Sequence, residues 1–451
     1  MESSLLTEKK PVRFAKIVAP ILVTQIALYM VTFFDILMTG RYDTYHLAGV
    51  TVGSSFWVPV YTGLAGILMS LTPIVAQHAG ARKEENVRPA VQQGLYVSIA
   101  LAAVVFALIV LAFFPVIRSM SLESPVGEIA IRYLKGMTVG LLPLFAYTVL
   151  RSFYDGLGST RVSMFIILIS APINVLLNYL LIYGNFGFPE LGGAGAGYAS
   201  GLTYWIVFAI ALGIAAGGKP FRRFRLLTEW QPPRFLYWKE ILVIGVPIGL
   251  SIFVETSIFS VVTLLMSAYS TTVISAHQVA LNFTSLLYMV PLSISMGATI
   301  LVGQSVGAGR LADAKRYSYM GIGFAVSFSL ISIAILLIAR ESIASLYTAD
   351  PAIMALAAQF FLYGAFFQLS DAVQAPIQGA LRGYKDVNVT LLMGFVSLWV
   401  IGLPVGYAVS SYTALGPYGY WVGLITGLTA GAIVLSFRLR YIQRKQEIQT
   451  T

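Results

Sequence analysis

Twelve long apolar runs divide this chain of 451 residues, and each is long enough to cross a lipid bilayer. A helix needs about 20 mostly apolar residues to span the hydrocarbon core of a membrane. Hydrocarbon offers the backbone no hydrogen-bond partner, and the alternating pattern of barrel strands does not occur, so we expect twelve helices. The runs lie at about 14–39, 50–76, 90–117, 127–154, 162–184, 194–217, 239–268, 278–305, 317–339, 352–381, 387–409 and 418–437.

The scarcity of charge indicates the same class of protein. Only 11% of the residues are charged and 57% are apolar, whereas about 25% are charged in soluble proteins. This composition argues against a soluble enzyme, a disordered chain and a nucleic-acid-binding protein. The net charge of +10 is typical of the cationic loops of a membrane protein. The chain has no Cys, no Walker motif and no zinc or haem spacing among its three His residues, so we expect neither an enzyme nor a resident cofactor.

The positions of Lys and Arg predict the orientation of the spans. If the N-terminus lies in the cytoplasm, 24 of the 29 basic residues fall in cytoplasmic segments. Basic residues concentrate in the cytoplasmic loops of membrane proteins. We therefore expect both termini to be cytoplasmic.

The two halves of the chain resemble each other. Thr72 begins the run Thr-Pro-Ile-Val-Ala-Gln in span two, and Thr299 begins Thr-Ile-Leu-Val-Gly-Gln 227 residues later in span eight. Pro20 and Pro247 share this offset, in spans one and seven. After a small indel, Asp155-Gly at the end of span four aligns with Gln378-Gly at the end of span ten.

These matches predict the domain organisation. Each half has six spans, an even number, so both halves start on the same side of the membrane and are parallel repeats. The longest polar stretch lies between spans six and seven. We predict an N-terminal six-helix bundle at 1–217, a cytoplasmic linker at 218–238 and a C-terminal six-helix bundle at 239–451.

Three acidic residues fall inside spans: Asp35 in span one, Glu255 in span seven and Asp371 in span ten. A charge inside a bilayer costs at least a few kcal/mol, so such a residue usually faces a polar cavity and serves a cation, a proton or a partner. No Lys or Arg is placed by the sequence at a comparable depth. A mobile cation is the favoured interpretation; the alternative is a protonated carboxylate that is hydrogen-bonded for packing.

Neutral oxygens accompany these acids. Asn174 and Asn178 lie one turn apart on span five, and Thr24, Thr32 and Thr39 lie in a helical sector around Asp35. Hard cations prefer carboxylate, carbonyl and hydroxyl oxygens. The asparagines taken alone are equally well explained as hydrogen bonds between helices.

A polar stripe and several prolines complete the candidate residues. Phe367, Asp371, Gln374 and Gln378 share a face of span ten, and span eight carries a stripe suited to lining a cavity, although packing is the alternative. From these we take Gln278, Asn282, Met289 and Gln374 as candidate cavity residues. Pro20 interrupts the hydrogen bonding of the helix that carries Asp35, which makes it a candidate gating kink.

Seven segments of the spans and their ends form a recognisable set. They are Phe34-Asp-Ile-Leu-Met-Thr-Gly, Pro73-Ile-Val-Ala-Gln, Arg151-Ser-Phe-Tyr-Asp-Gly, Val254-Glu-Thr, Ala276-His-Gln-Val-Ala-Leu-Asn-Phe, Ser370-Asp-Ala-Val-Gln and Leu381-Arg-Gly-Tyr-Lys-Asp. Together they resemble the MATE (multidrug and toxic compound extrusion) family, in particular its NorM-like bacterial branch. The resemblance implies an all-α polytopic protein whose two pseudo-symmetric six-helix bundles form a V around a central cavity. It also implies export of cationic amphipathic drugs in exchange for Na⁺ or H⁺.

The resemblance further implies two cation sites, which we expect at Glu255 and Asp371 in the C-terminal half and at Asp35, Asn174 and Asn178 in the N-terminal half. Similar proteins can carry Tyr one turn before the span-ten Asp. This chain has Phe367 there, which removes a phenolic ligand but leaves a ring face that can meet a cation.

We therefore predict a cation-coupled multidrug antiporter that works by alternating access, as a monomer in the bilayer of a bacterial plasma membrane. The alternative is a flippase for lipid-linked precursors, which the wider superfamily includes. A flippase would need a cationic cavity for pyrophosphate, and the sequence places no basic residue deep in a span.

Overall fold

The computed structural model describes residues 9–120, 122–266 and 268–450. The first eight residues of the predicted N-terminal bundle, residue 267 of predicted span seven, and residues 121 and 451 lie outside this range. Over the described ranges the chain folds into helices joined by short turns, with no β-strand. The expected all-α fold class is confirmed.

The helices of the first half end at residue 217. They are α1 (Lys10–Tyr42), α2 (Thr44–Leu68), α3 (Leu71–Gly80), α4 (Glu84–Leu108), α5 (Phe114–Ser119), α6 (Ser124–Val139), α7 (Leu141–Gly156), α8 (Thr160–Tyr183) and α9 (Gly193–Gly217). A π-helical turn, Ile109–Phe113, joins α4 to α5, and a 3₁₀ turn, Asn185–Gly187, follows α8.

The remaining helices run from the linker to the C-terminus. They are α10 (Lys219–Arg222), α11 (Phe235–Met266), α12 (Thr271–Gly307), α13 (Leu311–Tyr347), α14 (Pro351–Gly383), α15 (Asn388–Phe395), α16 (Leu403–Tyr412) and α17 (Tyr418–Thr450), with a π-helical segment at Val396–Gly402 between α15 and α16.

The twelve predicted spans have counterparts among these helices. In the described residues, eleven helices or continuous helix pairs are long and apolar enough to cross a membrane. The twelfth span is the pair α6 and α7, which meet at a bend of 49°. Gly140 lies at this bend, and a Cβ there would lie 2.5 Å from the Cα of Gly201 on α9.

Glycines allow α6 and α7 to approach α9 closely near this bend. Gly136 and Gly140 meet Gly197 and Gly201 of α9 so closely that a side chain on any of them would contact the opposite backbone. Small residues four apart are a common means of close approach between membrane helices. The Gly-rich run that opens α9 therefore serves helix packing.

A similar glycine contact occurs in the second half, between α16 and α17. A Cβ on Gly423 of α17 would lie 2.5 Å from the Cα of Gly406 on α16. One turn earlier on α17, a Cβ on Gly419 would lie 2.3 Å from the backbone nitrogen of Ser410. Both halves thus use glycine where two helices approach backbone to backbone.

The chain forms two compact units. One contains Ala19–Gly249, and the other contains Leu250 onward together with the described residues up to Val18. The start of α1 joins the second unit because the ring of Phe14, 1% exposed, packs against Tyr317 and Phe324 of α13. Lys10 pairs with Asp313 at the same place. The predicted boundaries after residues 217 and 238 stay a prediction; the compact units divide instead within α1 and α11.

The start of α11 packs within the first unit. The Ser70 hydroxyl donates to the Ile241 carbonyl at 3.2 Å, and Gly245 contacts the backbone of Ile67. Both long helices therefore begin in one unit and continue in the other. Pro20 and Pro247 lie within three residues of these crossing points. Each removes a backbone hydrogen bond, so each helix is locally weakened where it passes between units.

Two glutamines fix the linker to the first unit. Gln92 and Gln93 of α4 are fully buried. The Gln92 amide donates to the Leu226 carbonyl at 2.9 Å and accepts from the Gln231 N–H at 3.3 Å. The linker between the halves is thus held against α4 by hydrogen bonds.

The second glutamine makes the denser set of contacts. The Gln93 amide donates to the Pro232 carbonyl, and its oxygen accepts from the Arg234 N–H and the Trp238 indole, each at 2.9 Å. Trp238 belongs to the first turn of α11, so this amide also holds the beginning of that helix.

Replacing Gln93 by Ala should destabilise the protein by about 2 kcal/mol or more, because it leaves partners of the amide unsatisfied. The midpoint of thermal unfolding in detergent measures the effect. Gln359→Ala, at an exposed position of α14, is the matched control and should leave the midpoint unchanged. Equal midpoints for both variants would contradict a structural role for the glutamine contacts.

Candidate cation-binding sites

The residues predicted for the N-terminal site lie on two helices of one unit. The Asn178 Nδ2 of α8 donates to Asp35 Oδ1 of α1 at 2.5 Å and to Asn174 Oδ1 at 3.0 Å. The i, i+4 spacing puts both asparagines on one face of α8, where both are buried. The structure therefore brings together all three residues that the sequence proposed.

Two further polar side chains belong to this cluster. The Asn174 amide donates to the hydroxyls of Ser200 and Thr203 on α9, each at 3.4 Å. The sequence did not single out these residues, because hydroxyls in membrane helices usually bond within their own helix. Their only signal was two hydroxyls three residues apart in a helix start rich in Gly and Ala.

The expected threonine ligands behave differently. Thr24, Thr32 and Thr39 each donate a hydrogen bond to the carbonyl four residues earlier in α1. In the structure these hydroxyl protons serve the helix backbone, and none is donated to the Asp35 carboxylate.

One oxygen of the N-terminal cluster has no donor. Asn178 Oδ1 is buried, and no described group donates a hydrogen bond to it. The orientation of the Asn178 amide follows from its hydrogen bonds, because its nitrogen faces Asp35 Oδ1 and Asn174 Oδ1. A carbonyl oxygen without a donor beside a carboxylate is a suitable pair of ligands for Na⁺ or another hard cation.

The predicted C-terminal site lies in the other unit, between α11 and α14. The Gln378 amide donates to Glu255 Oε1 at 2.6 Å. Asp371 lies on the same helix as Gln378, is 8% exposed, and is close enough to Glu255 for their charges to interact. The structure thus brings together the two predicted acids, and Gln378 is an additional hydrogen-bond donor.

A basic residue is also present, contrary to the expectation from the sequence. Arg382 follows Gln378 by one turn, is 8% exposed, and its positive charge acts on Glu255. The sequence placed it just outside span ten, but α14 continues to Gly383. Glu255 is therefore not an isolated charge.

A second buried acid–base pair lies in the other half. Asp155, 4% exposed, accepts from the Ser163 hydroxyl at 2.8 Å and pairs with Arg151 at 3.5 Å. The sequence placed Asp155 at a span end and not among the buried acids. Its position corresponds to Gln378 in the repeat, and its partners neutralise it.

Phe367 packs in a hydrophobic core. Its ring lies edge-on to Phe259 at 5.9 Å and to Trp421 at 6.0 Å between centroids, and it is 6% exposed. Phe367 is one turn before Asp371, so its position borders the acidic site.

The candidate cavity residues do not share one environment. Gln278 and Asn282 are exposed, and Met289 is half-buried on the same stripe of α12. Asn282 accepts from the Tyr347 hydroxyl at 3.2 Å. Gln374 is instead buried against Gly431 of α17, and no described donor reaches its Oε1.

Metals that need several charged ligands do not fit the described residues. No group of three or more His, Cys, Asp or Glu side chains there is arranged to hold a metal ion. A cation at either site would therefore depend on one or two carboxylates completed by amide or backbone oxygens, a donor set that suits Na⁺.

The chain matches a family model described as MatE twice, over residues 20–180 and 247–408. The starts of the two matches differ by 227 residues, so the repeat predicted from Pro20 and Pro247 is confirmed.

Curated relatives named probable multidrug resistance protein NorM are similar over nearly the whole chain. The relative from Halalkalibacterium halodurans is 52% identical over 440 residues, covering 98% of this chain and 96% of the relative. The relative from Bacillus subtilis (strain 168) is 52% identical over 429 residues, covering 95% of each.

Solved structures share the fold at low identity. A crystal structure of MATE in the straight conformation has a TM-score of 0.87 at 19% identity and covers 96% of both chains. A eukaryotic MATE transporter has a TM-score of 0.84 at 19% identity, covering 97% of this chain and 98% of that one.

The Asp35–Asn178 contact can be tested by a double-mutant cycle. Asp35→Ala, Asn178→Ala and the double variant should show a coupling free energy of about 1.5–3 kcal/mol, as expected for a hydrogen bond to a charged group. Denaturant unfolding in detergent measures it. The control pair Asp35 and Thr203, which share no direct hydrogen bond, should be more nearly additive; full additivity for Asp35 and Asn178 would contradict the contact.

Proposed function

Because this chain belongs to the MatE family, we propose that it is a multidrug efflux transporter that exchanges cationic amphipathic drugs for Na⁺ by alternating access. The observation that carries the proposal is the buried Asn178 Oδ1, which has no described donor and lies beside the Asp35 carboxylate. The names of the curated relatives support drug export, in preference to a lipid flippase.

The chemistry of the sites supports exchange of like charges. An acid inside a membrane is costly when it is ionised and empty, and binding of a cation lowers this cost. A small inorganic cation and the charged end of a drug can both provide the neutralising charge. Occupation by one therefore disfavours occupation by the other, which is the basis of antiport.

Coupling also requires two conformations with different affinities. A ligand shifts a conformational equilibrium only by the difference between its affinities for the two states. Pro20 supports a conformational role for α1, because the helix lacks a backbone hydrogen bond close to where it passes from one unit to the other. A change at this point would move Asp35, which lies further along the same helix.

The distribution of basic residues supports the proposed placement in the cell. We propose a multi-pass protein of the bacterial plasma membrane, with both termini in the cytoplasm and a monomer as the working unit. Lys10, Arg438 and their neighbours would then lie on the cytoplasmic side, where Arg438 makes a bidentate pair with Asp386 at 2.7 and 2.9 Å.

Neutralising the acids should impair transport. Asp35→Asn, Glu255→Gln and Asp371→Asn should each lower the rate of fluorescent-cation efflux from cells about tenfold or more, since each removes a charged ligand. The matched control is Glu341→Gln, at an exposed position of α13. Normal efflux by both Glu255→Gln and Asp371→Asn would rule out the C-terminal site, and normal efflux by Asp35→Asn would rule out the N-terminal one.

The identity of the coupling ion can be tested with purified protein in liposomes. A Na⁺ gradient imposed without a pH difference should drive drug against its concentration gradient, and a pH gradient without Na⁺ should drive much less. Liposomes without protein, given the same two gradients, are the control. Drug movement driven only by the pH gradient would assign coupling to protons and contradict the Na⁺ proposal.

A further inference from the structure

A histidine that is not among the proposed cation ligands is buried in the unit that contains Leu250 onward. His277, near the start of α12, is fully buried. Its Nδ1 accepts from the Trp421 indole of α17 at 3.1 Å, and its Nε2 lies 3.2 Å from the Thr263 hydroxyl of α11. Its ring also lies edge-on to Phe360 of α14. One side chain therefore contacts three other helices.

The hydrogen-bond partners define the tautomer of His277. An indole N–H can only donate, so Nδ1 of His277 is an acceptor. The Thr263 hydroxyl donates its own proton to the Phe259 carbonyl at 2.9 Å, so its oxygen accepts from Nε2–H. Both ring nitrogens are thereby used, and the imidazole is neutral with its proton on Nε2.

The two hydrogen-bond partners of His277 are connected to the acidic site by aromatic contacts and by a shared helix. The Trp421 ring packs edge-on against Phe367, which is one turn before Asp371 on α14. On α11, Glu255, Phe259 and Thr263 follow one another at intervals of four residues, on one face of the helix. Phe259 packs against the same Phe367 ring as Trp421 does.

We propose that His277 is a positioning residue for the C-terminal cation site. It holds Thr263 and Trp421, and through Phe259 and Phe367 it fixes the two helices that carry Glu255 and Asp371 at the spacing that binds the cation. His277 touches neither carboxylate in this arrangement and acts through the aromatic side chains. The inference rests on the proposed cation coupling and adds a determinant of cation affinity.

A purely structural histidine would behave differently. It would contribute to stability in the way that its neighbours in the core do, without changing the affinity for the cation. A positioning residue should change the Na⁺ concentration at half-maximal binding, and variants that restore its individual hydrogen bonds should restore part of the affinity.

The variants separate the two hydrogen bonds. His277→Asn places an oxygen where Nδ1 was and keeps an acceptor for Trp421, whereas His277→Gln places an amide where Nε2 was and keeps a donor for Thr263. His277→Phe removes both bonds. Trp421→Phe removes the indole that donates to His277, and Thr263→Val removes the hydroxyl that accepts from it. Both variants remain informative if a variant of His277 itself fails to fold.

Two readouts on the purified full-length protein test the proposal. The first is thermal unfolding in detergent at increasing Na⁺ concentrations. The concentration that gives half of the maximal rise in unfolding temperature reports Na⁺ binding without transport. The second is the Na⁺ dependence of drug transport in liposomes, separated into half-saturation and maximal rate. His277→Phe should raise both half-saturation concentrations about three- to tenfold, the range expected for losing hydrogen bonds, and Asn or Gln should recover part of the loss.

Controls distinguish the possible failures. Phe283→Leu alters the same core on α12 through its contact with Phe361, and it should lower the unfolding temperature without changing Na⁺ half-saturation. Asp371→Asn should remove the part of the Na⁺ effect that remains in Asp35→Asn, in which the N-terminal site lacks its carboxylate. If Asp371→Asn does so while His277→Phe, Trp421→Phe and Thr263→Val leave half-saturation unchanged, His277 is structural and the inference is wrong. If Asp371→Asn also has no effect, the proposed cation site itself is wrong.

Discussion

A helix in hydrocarbon satisfies its own backbone and the hydroxyls of many of its Ser and Thr residues, but a buried carboxylate or amide on it can find a partner on another helix. The network of Asp35, Asn178 and Asn174 is the clearest result of this constraint, since it joins α1 to α8 and then to α9. The bond between Glu255 and Gln378 does the same for α11 and α14. The side chains that position these helices are therefore also those of the proposed cation sites, and in the N-terminal cluster one oxygen, Asn178 Oδ1, has no described donor.

The sequence predicted those parts of the structure that depend on local pattern. Hydropathy located twelve spans because each span must be apolar along its length, and helical periodicity placed Asn174 beside Asn178. The sequence did not predict the hydroxyl partners of Asn174. Ser200 and Thr203 differ in no visible way from the many Ser and Thr residues whose protons remain within their own helix, as those of Thr24 and Thr39 do.

Contacts between segments that are distant in the chain could not be predicted from the sequence, for a different reason. A pattern that shows α1 to be a helix does not say which neighbour its first turns contact. Phe14 and Lys10 put those turns against α13, and Gln93 holds the beginning of α11. Arg382 was misplaced because span ten was predicted to end at residue 381, whereas α14 continues to Gly383 and buries the guanidinium.

The repeat explains the fold better than it explains the sites. At the offset of 227 residues, the position of Asp35 corresponds to Val262 and that of Glu255 to Leu28. With the smaller offset that aligns Asp155 with Gln378, Asp371 corresponds to Thr148. None of the three candidate acids thus has an acidic counterpart in the other half.

Pro20 and Pro247 do occupy equivalent positions in the two halves, whereas the glycine crossings join different helices, α6 and α7 with α9 in the first half and α16 with α17 in the second. The helix break therefore recurs where the charged groups differ. Two sites built from different helices and different ligands need not bind the same ion with the same affinity. In the proposed exchange, such an asymmetry would allow one site to respond to the coupling cation and the other to the charged end of a drug.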